Sequence, residues 1–261
     1  MPQPDQSDIQ QAKNSFVKVP RHLLHVVGKA IADYQMINAN DRILLGLSGG
    51  KDSLSLLHIL LHFQRHAPIS FDIGVVTVDP QSDSFDPSPL IPYLKELDIP
   101  YFYQSEPILE LADKHMSNNS FCAFCSRMKR GIIYSMARRE NYNVIALAQH
   151  LDDLAESFLM SAFHAGKLNT MKANYTVDAG DLRVIRPLIY AREQQTASYA
   201  EQAGLPVIPE NCPACFDMPT QRYHFKQLLQ NEENKNPGLY QSLLAAMRPL
   251  ISKTNQDNTV N

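Results

Sequence analysis

Arg42-Ile-Leu-Leu-Gly-Leu-Ser-Gly-Gly-Lys-Asp-Ser53 is the stretch whose reading decides the fold. It begins as an apolar, strand-like run and turns through two glycines. It then enters Leu54-Ser-Leu-Leu-His-Ile-Leu-Leu-His62, which reads as a helix. A strand, a glycine-rich turn and a helix N-terminus in that order make an anion site. Backbone N–H groups point outward there, and the helix dipole adds partial positive charge. Gly49 and Gly50 let the backbone approach a phosphate with no Cβ in the way, and Lys51 adds a mobile cation. A Walker A loop would need four residues between its first glycine and the Gly-Lys pair, then Ser or Thr. Here Gly46 stands one residue too close, and Asp52 follows the lysine.

The pattern at Ser48–Ser53 instead resembles the PP-loop of ATP pyrophosphatases. That resemblance implies cleavage of ATP between its α and β phosphates, pyrophosphate held on the loop, and adenylation of a substrate oxygen. It assigns ATP binding to Gly46, Leu47, Ser48, Gly49, Gly50, Lys51, Asp52 and Ser53, joined by Val78 and His150 from two later strand ends.

Working outward, Val17–Ile37 reads as an amphipathic lead-in helix. Ile43–Leu47 and Phe71–Val78 read as strands. Helix Pro89–Leu97, strand Tyr101–Tyr103, a helix near Ile108–His115, a cysteine loop and helix Ser126–Arg139 follow. Strand Val144–Ala148 and helix Asp152–His164 close this part. Strands alternating with helices predict a doubly wound α/β fold, a parallel sheet with helices on both faces. Ligands of such sheets sit at the carboxyl ends of the strands, where the glycine loop falls. After Gly166 the pattern loosens into extended Leu182–Leu188, helix Arg192–Ala203, extended Pro206–Pro209, and helices Thr220–Glu233 and Gly238–Leu250. The expected organisation is a flexible N-terminus over 1–16, a PP-loop domain over 17–204, a cysteine-pair and helical region over 205–251, and a disordered tail over 252–261.

The chain has 261 residues, of which 44% are hydrophobic and 20% charged, so one substantial core is expected. A net charge of −3 gives no general affinity for nucleic acid, so any RNA contact must come from a local basic patch. The polar opening residues do not read as a signal peptide, and no apolar run is long enough to span a bilayer. A cytoplasmic protein without membrane attachment is the expectation.

His150-Leu-Asp-Asp-Leu-Ala-Glu156 follows a buried strand and starts a helix. Asp152 and Asp153 there are candidates for holding Mg²⁺ beside ATP phosphates, because Mg²⁺ takes one or two carboxylates plus phosphate oxygens. The plain alternative is helix capping. Behind a phosphate-binding loop the metal reading is preferred.

All four cysteines fall in two C-x-x-C pairs, Cys122/Cys125 and Cys212/Cys215. In a reducing compartment such pairs are more often metal or redox sites than disulfides. Spacing alone favours a closed Cys₄ zinc site, with a cysteine-ligated iron–sulfur cluster as its rival. Cys125 adjoins the basic run Arg127, Lys129 and Arg130. With Lys167 and Arg186 this run is a candidate RNA-facing patch, against the simpler reading of a solvated helix face.

Cys-x-x-Cys-Ser-Arg-x-Lys-Arg-Gly at Cys122–Gly131, His-x-Asp-Asp at His150–Asp153, Gly166-Lys167, Val184-Ile-Arg-Pro-Leu188 and the late cysteine pair follow the PP-loop in a fixed order. Together they resemble the tRNA 2-thiocytidine synthetase family of PP-loop tRNA thiolases, over roughly residues 20–250. The resemblance implies a 4Fe–4S cluster on Cys122, Cys125 and Cys212, with Cys215 the less favoured ligand. One iron is then open to carry sulfur. It also implies adenylation of the C2 oxygen of a cytidine at position 32 of the tRNA anticodon loop, using ATP and Mg²⁺, and displacement of AMP by sulfur. Catalytic roles fall to Lys51, Asp52, Asp152 and Asp153. The implied partners are tRNA and a cysteine desulfurase, and a homodimer is compatible with the scheme. Two other readings stay open. One is a PP-loop ligase or small-molecule thiolase with structural zinc. The other is a redox-sensing protein that binds ATP and RNA without turnover.

Overall fold

The computed structural model describes residues 18–82, 85–115, 121–208 and 221–252. Helix α1 (Arg21–Asp33) buries Leu23, Val27 and Ala30 on one stripe. Then come β1 (Arg42–Gly46), α2 (Lys51–His66), β2 (Asp72–Asp79), α3 (Leu90–Glu96), β3 (Tyr101–Ser105), α4 (Ile108–His115) and α5 (Phe121–Arg139). Strand β4 (Val144–Ala146), α6 (Leu151–Ala165), β5 (Asn174–Thr176) and β6 (Arg183–Ile185) continue the chain. A 3₁₀ turn at Pro187–Tyr190 leads to α7 (Glu193–Gln202), α8 (Gln221–Lys235) and α9 (Leu239–Ile251).

The six strands stand in the order β3-β2-β1-β4-β6-β5, all parallel except β5, which pairs antiparallel with β6. Alternate residues of each strand enter opposite cores. Ile43, Leu45, Val75, Val144 and Ile185 meet α1, α2, α6 and α7, whereas Leu44, Val76, Ile145 and Val184 meet Ile108 of α4 and Ile133, Met136 and Ala137 of α5. A sheet buried on both faces needs such unbroken apolar strands. The expected α/β architecture is what the chain forms.

Chain order reverses between β1 and β4, so the crevice of the sheet opens at their carboxyl ends. Gly74 permits close packing on the far side of β1. A Cβ at Gly74 would lie 2.1 Å from the Tyr142 hydroxyl that follows α5.

Two details differ from the sequence reading. The cysteine loop is not a loop: α5 begins at Phe121, so Cys122 and Cys125 lie within its first two turns. β5 was not expected, because three residues give little period to read. Its signal is the turn that follows, where Gly180 takes φ +78° and donates to the Val177 carbonyl. The C-terminal helices rest on α6. Phe225 of α8 packs edge-on against Phe163 and His164, with ring centroids 5.3 and 5.6 Å apart.

His58 of α2 lies buried beside Tyr93 of α3 and Tyr199 of α7, with its Nε2 hydrogen-bonded to the Tyr93 hydroxyl. Burial, with a smaller push from Arg65, lowers its pKa from 6.5 to about 4. A histidine depressed in the fold contributes stability that is complete above about pH 6.5 and lost as the pH falls toward 4. His58→Gln removes that titration. The difference in unfolding free energy between pH 7.5 and pH 4.5, measured in urea, is expected to shrink by about 2–3 kcal/mol. An unchanged difference would show that His58 does not carry the acid sensitivity.

Candidate active site

The β1–α2 turn is held open by its own hydrogen bonds. Ser48 Oγ accepts from the Gly50 amide at 3.2 Å, Ser53 Oγ donates to the Gly50 carbonyl at 3.0 Å, and the two hydroxyls lie 3.2 Å apart. Thr77 Oγ1 donates to the Leu47 carbonyl from β2 at 3.0 Å. Gly49 takes φ +83°, and a Cβ there would come within 2.6 Å of Ile208. Ile208 in turn donates its amide to the Gly49 carbonyl at 2.9 Å. Glycine is required at this position twice over, for the left-handed backbone and for the contact.

Above the turn lies a cleft of about 920 Å³. Gly46, Leu47, Ser48, Gly50, Lys51, Asp52, Ser53, Val78, His150, Asp153, Lys129, Arg130 and Arg186, all marked by the sequence, line it. Gly49, Cys125, Asp152, Arg127 and Lys167 do not. Gly49 supports the turn from behind. Asp152 is turned inward and 7% exposed. It accepts from Arg192 Nε at 3.1 Å and from the Glu193 amide at 2.8 Å, so it caps the start of α7, while the capping of its own helix falls to His150 and Asp153. Arg127 and Lys167 lie on the open surface. Arg186 does not, being 5% exposed, and its guanidinium donates to Gln149 Oε1 at 2.8 Å and to the Lys172 carbonyl at 2.7 Å. It belongs to the cleft wall and not to a surface phosphate patch.

His150 caps α6. Its Nδ1 accepts from the Asp153 amide at 3.4 Å, while its own amide donates to Asp153 Oδ2 at 3.0 Å. Its Nε2 lies 3.7 Å from Asp52 Oδ2. The sequence reading missed Glu193 as a site residue. Lys51 Nζ lies 3.1 Å from Asp52 Oδ2 and 3.0 Å from Glu193 Oε1. Burial opposes the charge on both partners, yet Asp52 and Glu193 raise the Lys51 pKa, while Lys226 and Lys51 hold the Glu193 carboxyl down at about 2. Arg222 of α8 spans Glu156 at 2.8 Å and Asp153 at 3.1 Å. Burial raises the Glu156 pKa, with Arg222 working against it. The helical reading of Thr220–Glu233 held the signal for Arg222 and Lys226. Glu193 follows a buried turn, and nothing local marks it.

Among the described residues no three His, Cys, Asp or Glu side chains are grouped to hold a metal ion. Cys125 is half-buried against the sheet core, and its neighbour Ser126 lines the cleft together with Lys129 and Arg130. Cys122 shares α5 with it. Cys212 and Cys215 fall outside the described residues. The described residues on either side of that pair both reach the site: Ile208 bonds to Gly49, and Arg222 lines the cleft.

The PP-loop domain family model matches residues 18–212. A tRNA-cytidine(32) 2-sulfurtransferase from Acaryochloris marina is 40% identical over 233 residues, covering 88% of this chain and 82% of the relative. Those from Aliivibrio salmonicida and Geobacter sulfurreducens are 38% and 35% identical. They cover 92% and 87% of this chain, and 78% and 89% of their own lengths. The chain belongs to the tRNA-cytidine(32) 2-sulfurtransferase family of PP-loop proteins. Its fold matches that of the U34-tRNA thiolase NcsA from Methanococcus maripaludis, solved with its 4Fe–4S cluster. The TM-score is 0.71 at 20% identity, over 92% of this chain and 80% of that one. Members of this sulfurtransferase family are enzymes that act on tRNA, and the cleft is where this member keeps its PP-loop. No helix among the described residues is long and apolar enough to cross a membrane.

Asp152→Ala removes the acceptor of both Arg192 and the α7 amide. It is expected to cost about 2 kcal/mol, a fall in Tm of roughly 5 °C in the absence of nucleotide. An unchanged melting temperature, with weakened Mg²⁺-ATP binding, would return Asp152 to the metal site.

Proposed function

We propose that this chain converts cytidine 32 of a tRNA anticodon loop to 2-thiocytidine, using ATP to activate the C2 oxygen. The observation that carries the reading is that the PP-loop forms one cleft with the helix on which the first cysteine pair stands. Its floor is the PP-loop, and one wall is α5, which bears Cys122 and Cys125.

The loop amides and Lys51 are disposed to take the phosphates of ATP and to stabilise charge growing on the departing pyrophosphate. Asp153 faces the cleft, and Asp52 stands beside Lys51. One or both would hold Mg²⁺, which needs few protein ligands when phosphate oxygens complete its shell. Lys129 and Arg130 border the remaining space and favour an anionic RNA segment there. An anticodon-loop base can leave its stack and enter such a cleft, which a duplex base cannot.

The donor set at the α5 wall is thiolate, which suits iron–sulfur or zinc. Both cysteines stand in the first two turns of a helix that carries Lys129 and Arg130 further on, a setting that in general favours thiolates. Cys122, Cys125 and Cys212 would hold a 4Fe–4S cluster that, when bound, supplies sulfur as the nucleophile. The protein's part is to bring C2 of the activated cytidine against that wall and to exclude water from the adenylate.

Anaerobically purified protein is expected to carry about four irons per chain, with a broad absorption near ~400 nm. Given tRNA, ATP, Mg²⁺, L-cysteine with a cysteine desulfurase, and a dithiol to reduce the transferred sulfur to sulfide, it should form 2-thiocytidine, detected by nucleoside mass spectrometry. Cys122→Ala should lose iron and product while keeping ATP binding. Lys51→Ala should keep iron and lose turnover by a factor of about 10² or more. About one zinc per chain and no product would overturn the reading.

A further inference from the structure

The nucleotide cleft contains an arrangement that the family motifs do not account for. Glu193, the first residue of α7, extends its carboxylate between two lysines from different elements. Lys51 Nζ of the PP-loop lies 3.0 Å from Oε1. Lys226 Nζ of α8 lies 2.9 Å from the same oxygen and 2.7 Å from Oε2. Two ammonium groups therefore converge on one oxygen. Lys51, Lys226 and Glu193 all line the cleft over the PP-loop.

Glu193 is fixed from behind. Its amide donates to Asp152 Oδ2 at 2.8 Å, and its carbonyl accepts from Thr196 Oγ1 at 2.8 Å. The same hydroxyl also bonds Asp52 on α2. An anionic oxygen is thus held by rigid neighbours at the meeting point of two cations, above a turn built to receive phosphate. We infer that Lys226 is a second cation of the phosphate site, delivered by the C-terminal helix α8, and that Glu193 is its placeholder. Glu193 keeps Lys51 and Lys226 oriented until the pyrophosphate portion of ATP exchanges for its carboxylate.

The inference rests on the nucleotide reading of the cleft and adds a ligand to it. Without the Glu193 carboxylate the two ammonium groups would repel across the gap, with Lys51 drawn back onto Asp52. A carboxylate between them keeps both in place, but it competes with the incoming phosphate for the same hydrogen bonds. Removing its charge while keeping its shape should therefore tighten phosphate binding. Removing Lys226 should loosen it. A purely structural Glu193 predicts the opposite sign, since losing an ordering contact can only weaken the site.

The test is equilibrium binding of inorganic pyrophosphate, and separately of Mg²⁺-ATP, to the full chain without tRNA. The wild-type protein is expected to bind both. Glu193→Gln should bind pyrophosphate at least about tenfold more tightly, and in turnover should show a lower KM for ATP with deeper product inhibition. Lys226→Met should bind pyrophosphate at least about tenfold more weakly. Weaker or equal binding by a Glu193→Gln protein that melts normally overturns the placeholder. Unchanged affinity in Lys226→Met, whose side chain is 38% exposed and whose loss should leave α8 folded, overturns the second cation by itself. Failure of the wild-type protein to bind either ligand would instead refute the nucleotide reading.

Discussion

The cleft hangs on a cross-link through Arg192. Its guanidinium donates to Asp152 at the start of α6 and to Glu233 of α8, at 2.9 Å for the Nη2–Oε2 bond, and it lies 3.3 Å from the centroid of the Tyr240 ring on α9. Helices α6, α8 and α9 are thereby tied to one side chain, and the Asp152 end of the link also caps α7. A partly buried ion pair stabilises only when its remaining donors find partners, and here they do. With α7 and α8 set, Glu193, Arg222 and Lys226 face the PP-loop. The C-terminal helices are thus part of the site's construction, and the boundary between a nucleotide domain and a helical extension is less sharp in space than along the chain.

The sheet and its helices were largely legible because their residues obey short-range rules. A strand buried on both faces needs a run such as Ile43-Leu-Leu45, and a phosphate turn needs glycine at 49. What local patterning cannot hold is pairing across distance. Asp152 and Asp153 are adjacent and chemically alike, yet one faces Arg192 and the other the cleft. Asp152 is held by Arg192, 40 residues away, and Asp153 by Arg222, 69 residues away. Glu193 was invisible for the same reason, since its partners sit 142 and 33 positions off. The start of α5 was misplaced because Cys122-Ala-Phe-Cys-Ser126 holds only one strong helix former, Ala123.

Charge along the chain was a poor guide to charge on the surface. Several basic residues that might have built an RNA patch are neutralised by specific carboxylates: Arg138 by Asp181 at 2.6 Å, Arg183 by Asp41, and Arg222 by Glu156 and Asp153. The cations bordering the cleft from α5, Lys129 and Arg130, remain beside the PP-loop. A net-acidic chain can still place cations at the rim of its cleft.

The seating of Tyr142 over Gly74 has a mechanical consequence. It fixes the chain where α5 ends, and Ile133, Met136 and Ala137 secure the same half of the helix to the sheet. The cysteines ride the other end. Nineteen residues of helix make a rod of about 28 Å, so α5 is a lever with its fulcrum at β2 and its tip at the cleft. A small rotation at the fulcrum becomes a larger sideways displacement at the first turn of the helix, against which Cys125 and Met128 brace by packing on the same core. The position of that end of α5 beside the cleft is therefore set by packing along the whole of the molecule's second core.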